Sequence, residues 1–477
     1  MRNIFKLVRI HSKKVVQEMK NDQEYLSDNR EKFNKELLDF IAIPSIAALP
    51  EHSKDVQRAA AWLRARMSEA GIENVEVMDT GGQPAVYGDW MHAGNGKPTV
   101  LIYGHFDVQP VDPVELWDHD PFTPTIKDEK IFARGASDDK GSMFIPIIVF
   151  EAIYKSSGSF PFNIKFLFEG EEEIASPKMP EFVSNNTDKL ECDMIFSADG
   201  GQFSEDEPNL AVGFKGILGF DIEVIGPETD KHSGLFGAAI ANPIMALAQL
   251  LSSMKNKNGE ITIDGFYDEV VPLSDRDKAE IARVPFDEKQ YLELTGSIGL
   301  DGEAGYTAPE RIGARPTLDV NGIWGGYQGV GTKTVLPSKA NAKITCRLVA
   351  NQKPKEILKK IENHVNRFLP NGVVGKVIPL QDEGDPLLIP EIHKSTDIAR
   401  DVLRNVYGRE PYMIRVGGSI PILSAFYKYL GVHATMFAFQ LDDENWHAPN
   451  EFFRLSSFYK GQEAYRQLFH KLGSIGS

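Results

Sequence analysis

An apolar run ends on a histidine and an aspartate two residues apart: Leu101-Ile-Tyr-Gly-His105-Phe-Asp107-Val-Gln-Pro110. On a strand, positions i and i+2 point to the same face, so His105 and Asp107 stand together where the strand gives out. A histidine whose second ring nitrogen is held by a carboxylate is the usual arrangement at a metal ion. On that reading His105 is the ligand and Asp107 orients it. The plain alternative is a solvated pair in a loop.

Three further segments repeat the pattern. Ala133-Arg-Gly135-Ala-Ser-Asp138-Asp139-Lys140-Gly141 is a glycine-rich turn that opens the apolar run Met143 to Tyr154. Adjacent aspartates there also suit plain helix capping, and a phosphate loop is a weaker rival because the G-x-x-x-x-G-K-[ST] spacing is absent. Asn163 to Phe168 runs into Glu169-Gly-Glu171-Glu172-Glu173, and Met194 to Ser197 into Ala198-Asp199-Gly200. Crowded carboxylates repel unless something positive sits among them. The chain later reaches Asp442-Asp-Glu-Asn-Trp-His447-Ala-Pro-Asn450-Glu451. His, Asp, Glu and Asp at corresponding segment ends suit a pair of cations held by oxygen and imidazole, at the sheet edge where open α/β folds bind ligands. Two metals about 3.5–4 Å apart are the common hydrolytic arrangement.

The elements that must position these residues read as an α/β fold. Helical spacing covers Asn29 to Ile43 and Asp55 to Ala70, with Gly71 as a C-cap; strands follow at Val75 to Met78 and Thr99 to Gly104, and a hairpin over Phe122 to Phe132. After Gly200 the texture becomes α+β, with strands at Gly216 to Ile225 and Ala340 to Val349 and helices at Pro243 to Met254 and Pro354 to Phe368. Phe286 to Gly313 is acidic and polar with few periodic segments, which reads as a long excursion. The first texture resumes near Pro390, with helices Ile392 to Tyr407 and Leu455 to Leu472 around a strand at Ala434 to Phe439. The expected organisation is a doubly wound, mixed-sheet catalytic domain over 1–210 and 388–477, interrupted by an α+β domain over 211–387.

At 477 residues the chain exceeds a single core. A net charge of −16 argues against nucleic acid as a partner. Cys192 and Cys346 form neither a disulfide framework nor a thiolate metal motif. The N-terminus lacks the uninterrupted apolar core of a signal peptide, and no stretch approaches the ~18 apolar residues of a membrane span. A cytoplasmic protein without membrane contact is the expectation.

Gly104-His-Phe-Asp-Val-Gln-Pro110, Gly170-Glu-Glu-Glu173, His232-Ser-Gly234, Lys333-Thr334-Val-Leu-Pro337, Arg347-Leu-Val and Gly417-Gly-Ser-Ile-Pro421 resemble motifs of the co-catalytic zinc peptidases that include carnosinase, bacterial glutamate carboxypeptidase, aminoacylase and succinyl-diaminopimelate desuccinylase. The pattern is most similar to the carnosinase-like dipeptidases. The resemblance implies two divalent ions per subunit, Zn²⁺ first and Mn²⁺ or Co²⁺ as alternatives. His105 and Asp199 would hold one ion, Glu173 and His447 the other, and Asp138 would bridge them, with Asp139 following across a non-proline cis peptide. Glu172 would be the general base toward a bridging water. The inserted domain would be a lid that also dimerises, its His232 crossing to the other subunit of a homodimer to hold the oxyanion. Thr334, Arg347, Gly417, Gly418 and Ser419 would meet the carboxylate end of a dipeptide or short peptide.

Three positions depart from the pattern. Val416 stands where Glu is frequent, Lys215 where Arg is, and Trp446 where a small or aliphatic residue precedes His447. They bear on substrate preference. An N-acyl-amino-acid amidohydrolase of the same fold is the nearest rival reading, and a non-catalytic metal-binding module a more distant one.

Overall fold

The computed structural model describes residues 21–476. Their contacts define two compact units. One runs to Leu210 and takes in Pro390–Tyr412 and the chain from Ala425; the other is Ala211–Ile389 with Met413–Ser424.

In the first unit, six strands form a mixed sheet in the spatial order Glu73–Met78 (β1), Ala85–Trp90 (β2), Asn163–Glu169 (β4), Thr99–His105 (β3), Met194–Ser197 (β5) and Ala434–Met436. The last four are mutually parallel, and β2 runs antiparallel to β1 and β4. Every residue of β3 after Thr99 is buried, as a strand covered on both faces requires. From β3 the chain adds β4 on one side and then β5 on the other. That reversal opens a crevice at the carboxyl ends, where His105 lies in register with Glu169.

Helices cover both faces of this sheet. Ser142–Ser157 is buried from its start through Ile153. It comes so close to β3 that a Cβ on Gly104 would lie 2.8 Å from the Met143 Cβ. On the opposite face the Tyr103 ring meets Phe426 with centroids 5.4 Å apart. The helix expected from Asp55 runs Ser53–Ala70 and ends at Gly71 with φ 100°.

The second unit is built on a four-stranded antiparallel sheet in the order Thr317–Gly325, Lys339–Leu348, Gly216–Ile225 and Val374–Gly384. Lys339–Leu348 alternates buried and accessible residues, so one face is apolar and the other polar. Phe220, Ile222, Ala342 and Ile344 on the apolar face pack on Leu247, Leu250, Ile357 and Ile361 of helices Pro243–Ser253 and Pro354–Phe368.

Two stretches differ from the sequence reading. The excursion over 286–313 contains the helices Glu288–Thr295 and Ala308–Ala314, each nucleated by a cap: Asp287 accepts from Gln290 N, and Thr307 forms a capping box with Glu310. Residues 413–424, expected to rejoin the first unit, group with the second. Tyr412–Val416 pairs beside Asn209–Phe214, and the Lys215 N–H reaches the carbonyls of Val416 and Gly418. Among the described residues no helix is long and apolar enough to cross a membrane.

Candidate metal centre

The carboxyl ends of β3, β4 and β5 gather His105, Glu173 and Asp199, and two loops add Asp138 and His447. The ligand atoms of His105, Asp138 and Asp199 all lie within 4.8 Å of one another, and so do those of Asp138, Glu173 and His447. Asp138 is common to both groups: its Oδ1 is 3.1 Å from His105 Nε2, and its Oδ2 is 3.1 Å from His447 Nε2. His447 Nε2 also lies 3.1 Å from Glu173 Oε2. The peptide between Asp138 and Asp139 is cis.

Neighbours fix these side chains. His105 Nδ1 is held by the carbonyl of Asp107 at 3.2 Å, with the Asp107 carboxylate at 3.4 Å, which leaves Nε2 aimed at Asp138. The buried Asp107 carboxylate also accepts the N–H groups of Glu172 and Glu173, at 3.1 and 3.0 Å. The turn presenting both glutamates thus hangs from the residue that steadies the histidine. Asp139 caps no helix, because Asp138 has non-helical φ and ψ and the regular helix starts at Ser142. Its Oδ2 instead accepts from the His105 N–H at 3.3 Å. Two glutamines escaped the sequence reading. Gln109 donates to Glu173 Oε2 at 2.8 Å, while Gln440 donates to Asp139 and accepts from the Gly200 N–H, next to Asp199. Gln109 lies within the quoted segment Gly104 to Pro110 without a role of its own there, and Gln440 carries no signal, since glutamine is ordinary in loops.

The electrostatics follow from ionisable groups crowded into a confined space. Burial pushes Asp199 up to about 6 and Glu173 up to about 7, and it holds Glu172 well above the usual carboxylate range. Asp138 and Glu173 push His447 up to about 10. Burial works against a charged His105, yet Asp107 and Asp138 outweigh it and hold the imidazole well above its ordinary value. The field therefore favours positive charge among the carboxylates. Glu173 Oε1 is buried without a hydrogen-bond partner, and the mixed oxygen and imidazole donors match Zn²⁺, Mn²⁺ or Co²⁺. The residues present fit a pair of divalent ions.

Within the second unit the remaining predicted residues fall into two groups. His232 and Thr334 meet where Lys231–His232 pairs with Val335–Leu336, and the Ser233 N–H donates to the Thr334 carbonyl. His232 is exposed, and its Nδ1 accepts from the Gly234 N–H at 3.0 Å. Arg347 Nη1 donates to Ser419 Oγ at 3.0 Å, and Ser419 Oγ donates to the Lys215 carbonyl, alongside Gly417 and Gly418.

The chain matches known proteins over nearly its whole length. It is 30% identical over 470 residues to the Cys-Gly metallodipeptidase dug1 of Schizosaccharomyces pombe, covering 95% of this chain and 98% of that protein. It is 27% identical to the Beta-Ala-His dipeptidase of Rattus norvegicus, with 95% of both chains covered. Among solved structures, the M20 family metallo-carboxypeptidase Sso-CP2 from Sulfolobus solfataricus superposes with a TM-score of 0.79 at 29% identity, covering 92% of this chain and 99% of that one. The pattern of the peptidase family M20/M25/M40 matches residues 101–471, and the chain belongs to that family.

Proposed function

We propose that the centre hydrolyses the peptide bond of dipeptides or short peptides with a free C-terminal carboxylate, using two divalent ions and Glu172 as general base. The chain is a metal-dependent peptidase of dipeptidase type. The observation that carries the finer reading is the pair of ligand groups sharing Asp138 at the carboxyl edge of the sheet. His105, Asp138 and Asp199 would hold one ion, and Asp138, Glu173 and His447 the other. When bound, such ions supply Lewis acidity and lower the proton affinity of water.

The chain's own residues do the rest. Glu172 takes the proton of the attacking water and returns it to the leaving amine. A carboxyl raised by burial is suited to both transfers, because its affinity for the proton lies nearer the working pH. Asp107 keeps Glu172 in place through the backbone N–H bonds. In the same reading the second unit is a lid and dimerisation domain. The exposed His232 of a second copy donates to the carbonyl oxygen as it gains charge. Thr334, Arg347, Gly417, Gly418 and Ser419 receive the substrate carboxylate. Cytoplasmic residence fits the two free thiols, Cys192 and Cys346.

The test is hydrolysis by chelator-stripped protein refilled with Zn²⁺ or Mn²⁺, on a panel of dipeptides and N-acetyl amino acids. Metal-dependent cleavage of the dipeptides is expected. Turnover confined to the acyl amino acids would overturn peptide hydrolysis in favour of deacylation.

A further inference from the structure

Behind the ligands lies an ion pair with no part in the chemistry above. Arg134 and Glu451 are both fully buried, and Arg134 Nη1 donates to Glu451 Oε2 at 2.7 Å. The same carboxylate accepts three backbone donors: the Gly135 N–H at 2.9 Å on Oε2, and the N–H groups of Ser137 and Asp138 at 2.9 and 3.1 Å on Oε1. All four donors come from the turn that carries Asp138. Glu451 itself ends the loop that carries His447. Arg134 Nη2 reaches further, to the Pro110 carbonyl at 3.1 Å, in the segment that leaves β3 after His105 and Asp107. Glu444, also buried and in the His447 loop, binds Ser137 Oγ and the Leu441 N–H. One ion pair thus ties together three segments that supply ligands.

We infer that Arg134 and Glu451 are positioning residues that set the affinity of the centre for its metals, although neither offers an atom to the ions. This rests on the reading of the centre as a metal site. A carboxylate has acceptor sites on both oxygens for all four donors. A carboxamide has one oxygen and turns its NH₂ toward the remaining N–H groups, so the Asp138 turn and the His447 loop lose their common anchor. Outer partners of this kind change metal affinity by roughly 10–100-fold.

The experiment is a titration of chelator-stripped protein with Zn²⁺ against a chromophoric chelator. Glu451→Gln should weaken binding by about 10–100-fold. The control is Glu151→Gln, which removes a comparable buried carboxylate from Arg66 and Lys32 in the helix Ser142–Ser157. It should lower thermal stability and leave the affinity unchanged, which separates positioning from general loosening. If Glu451→Gln does not fold, Arg134→Gln carries the test, because three backbone donors remain on Glu451; it should weaken binding in the same direction by a smaller factor. Wild-type affinity in the folded variant, or an equal loss in Glu151→Gln, would overturn the inference. A wild-type protein that binds no divalent ion would remove the centre itself, and this inference with it.

Discussion

Glu172 and Glu173 are neighbours in sequence with different proposed roles. Glu173 Oε2 faces His447 and Gln109, as a ligand held in place should. Glu172 shares the buried environment without belonging to either ligand group. Glu172→Ala is therefore expected to retain both metals and to lose about 10²–10⁴ in turnover; loss of metal together with activity would assign it to the ion instead. The titration of the centre makes a second expectation. Asp199, Glu172, Glu173, His105 and His447 all have folded-state values above their ordinary ones. Each raised group contributes stability that is present below its unfolded pKa and lost as pH rises through its folded one. Only Asp138 runs the other way, and its depressed value confines that effect to strong acid. The metal-free protein should thus lose stability between about pH 4 and pH 10. Bound cations remove the penalty, because ligation needs the deprotonated forms. Thermal melts of stripped and reconstituted protein at pH 5.5 and 8.5 should show a gap in Tm that widens with pH. A constant gap would mean the cluster is not what the ions stabilise.

At the scale of elements, legibility tracked unbroken apolar runs: the buried strand Ala85–Trp90, interrupted by Gly88 and Asp89, gave no signal. β3 announced itself because a strand covered on both faces needs an unbroken apolar run, and His105 could be placed at its end for the same reason. The two edge strands of the second unit's sheet gave no such signal. Thr317–Gly325 lies at a sheet edge with Asp319, Val320 and Asn321 exposed, and Val374–Gly384 lies at the other edge with Pro379 in its middle, so neither shows an alternating pattern. The candidate ligands that the fold brings together were readable because acids and histidines are conspicuous after apolar runs. Of their supports only Asp107 was, since Gln109, Arg134 and Gln440 acquire meaning only through contacts with segments distant in sequence. Gly104 marks the junction of the two kinds of information. A Cβ there would meet the Met143 Cβ at 2.8 Å and Asp139 Oδ2 at 2.9 Å, so helix, strand and metal loop converge where only hydrogen fits. Gly104→Ala should cost about 1–3 kcal/mol, as overpacked cores do. An unchanged denaturation midpoint would show that the helix yields more easily than its burial suggests.

The proposed assembly concerns the whole molecule, because His232 lies on the second unit and is exposed in a single copy. Leu235, Phe236 and Ile240 nearby are exposed as well, and Met245 and Ile323 on the same unit are more than half exposed. Apolar surface of this kind on the second unit is suited to covering by a second copy, and a symmetric pair would give each centre the His232 of the other. His232→Ala should then be inactive with its metals in place, as Glu172→Ala is. The two defects lie on opposite sides of each shared site. In a mixed dimer, the subunit with an intact Glu172 receives an intact His232, while the other centre stays dead. Random exchange of equal amounts yields half mixed dimers with one live centre of two, so activity should recover to about a quarter of wild type. A single chain serving its own centre predicts no recovery, since each copy then carries a lethal defect. Mixing the two inactive variants, with subunit exchange followed by mass-tagged chromatography, distinguishes the cases: exchange without recovery places His232 outside the partner's chemistry.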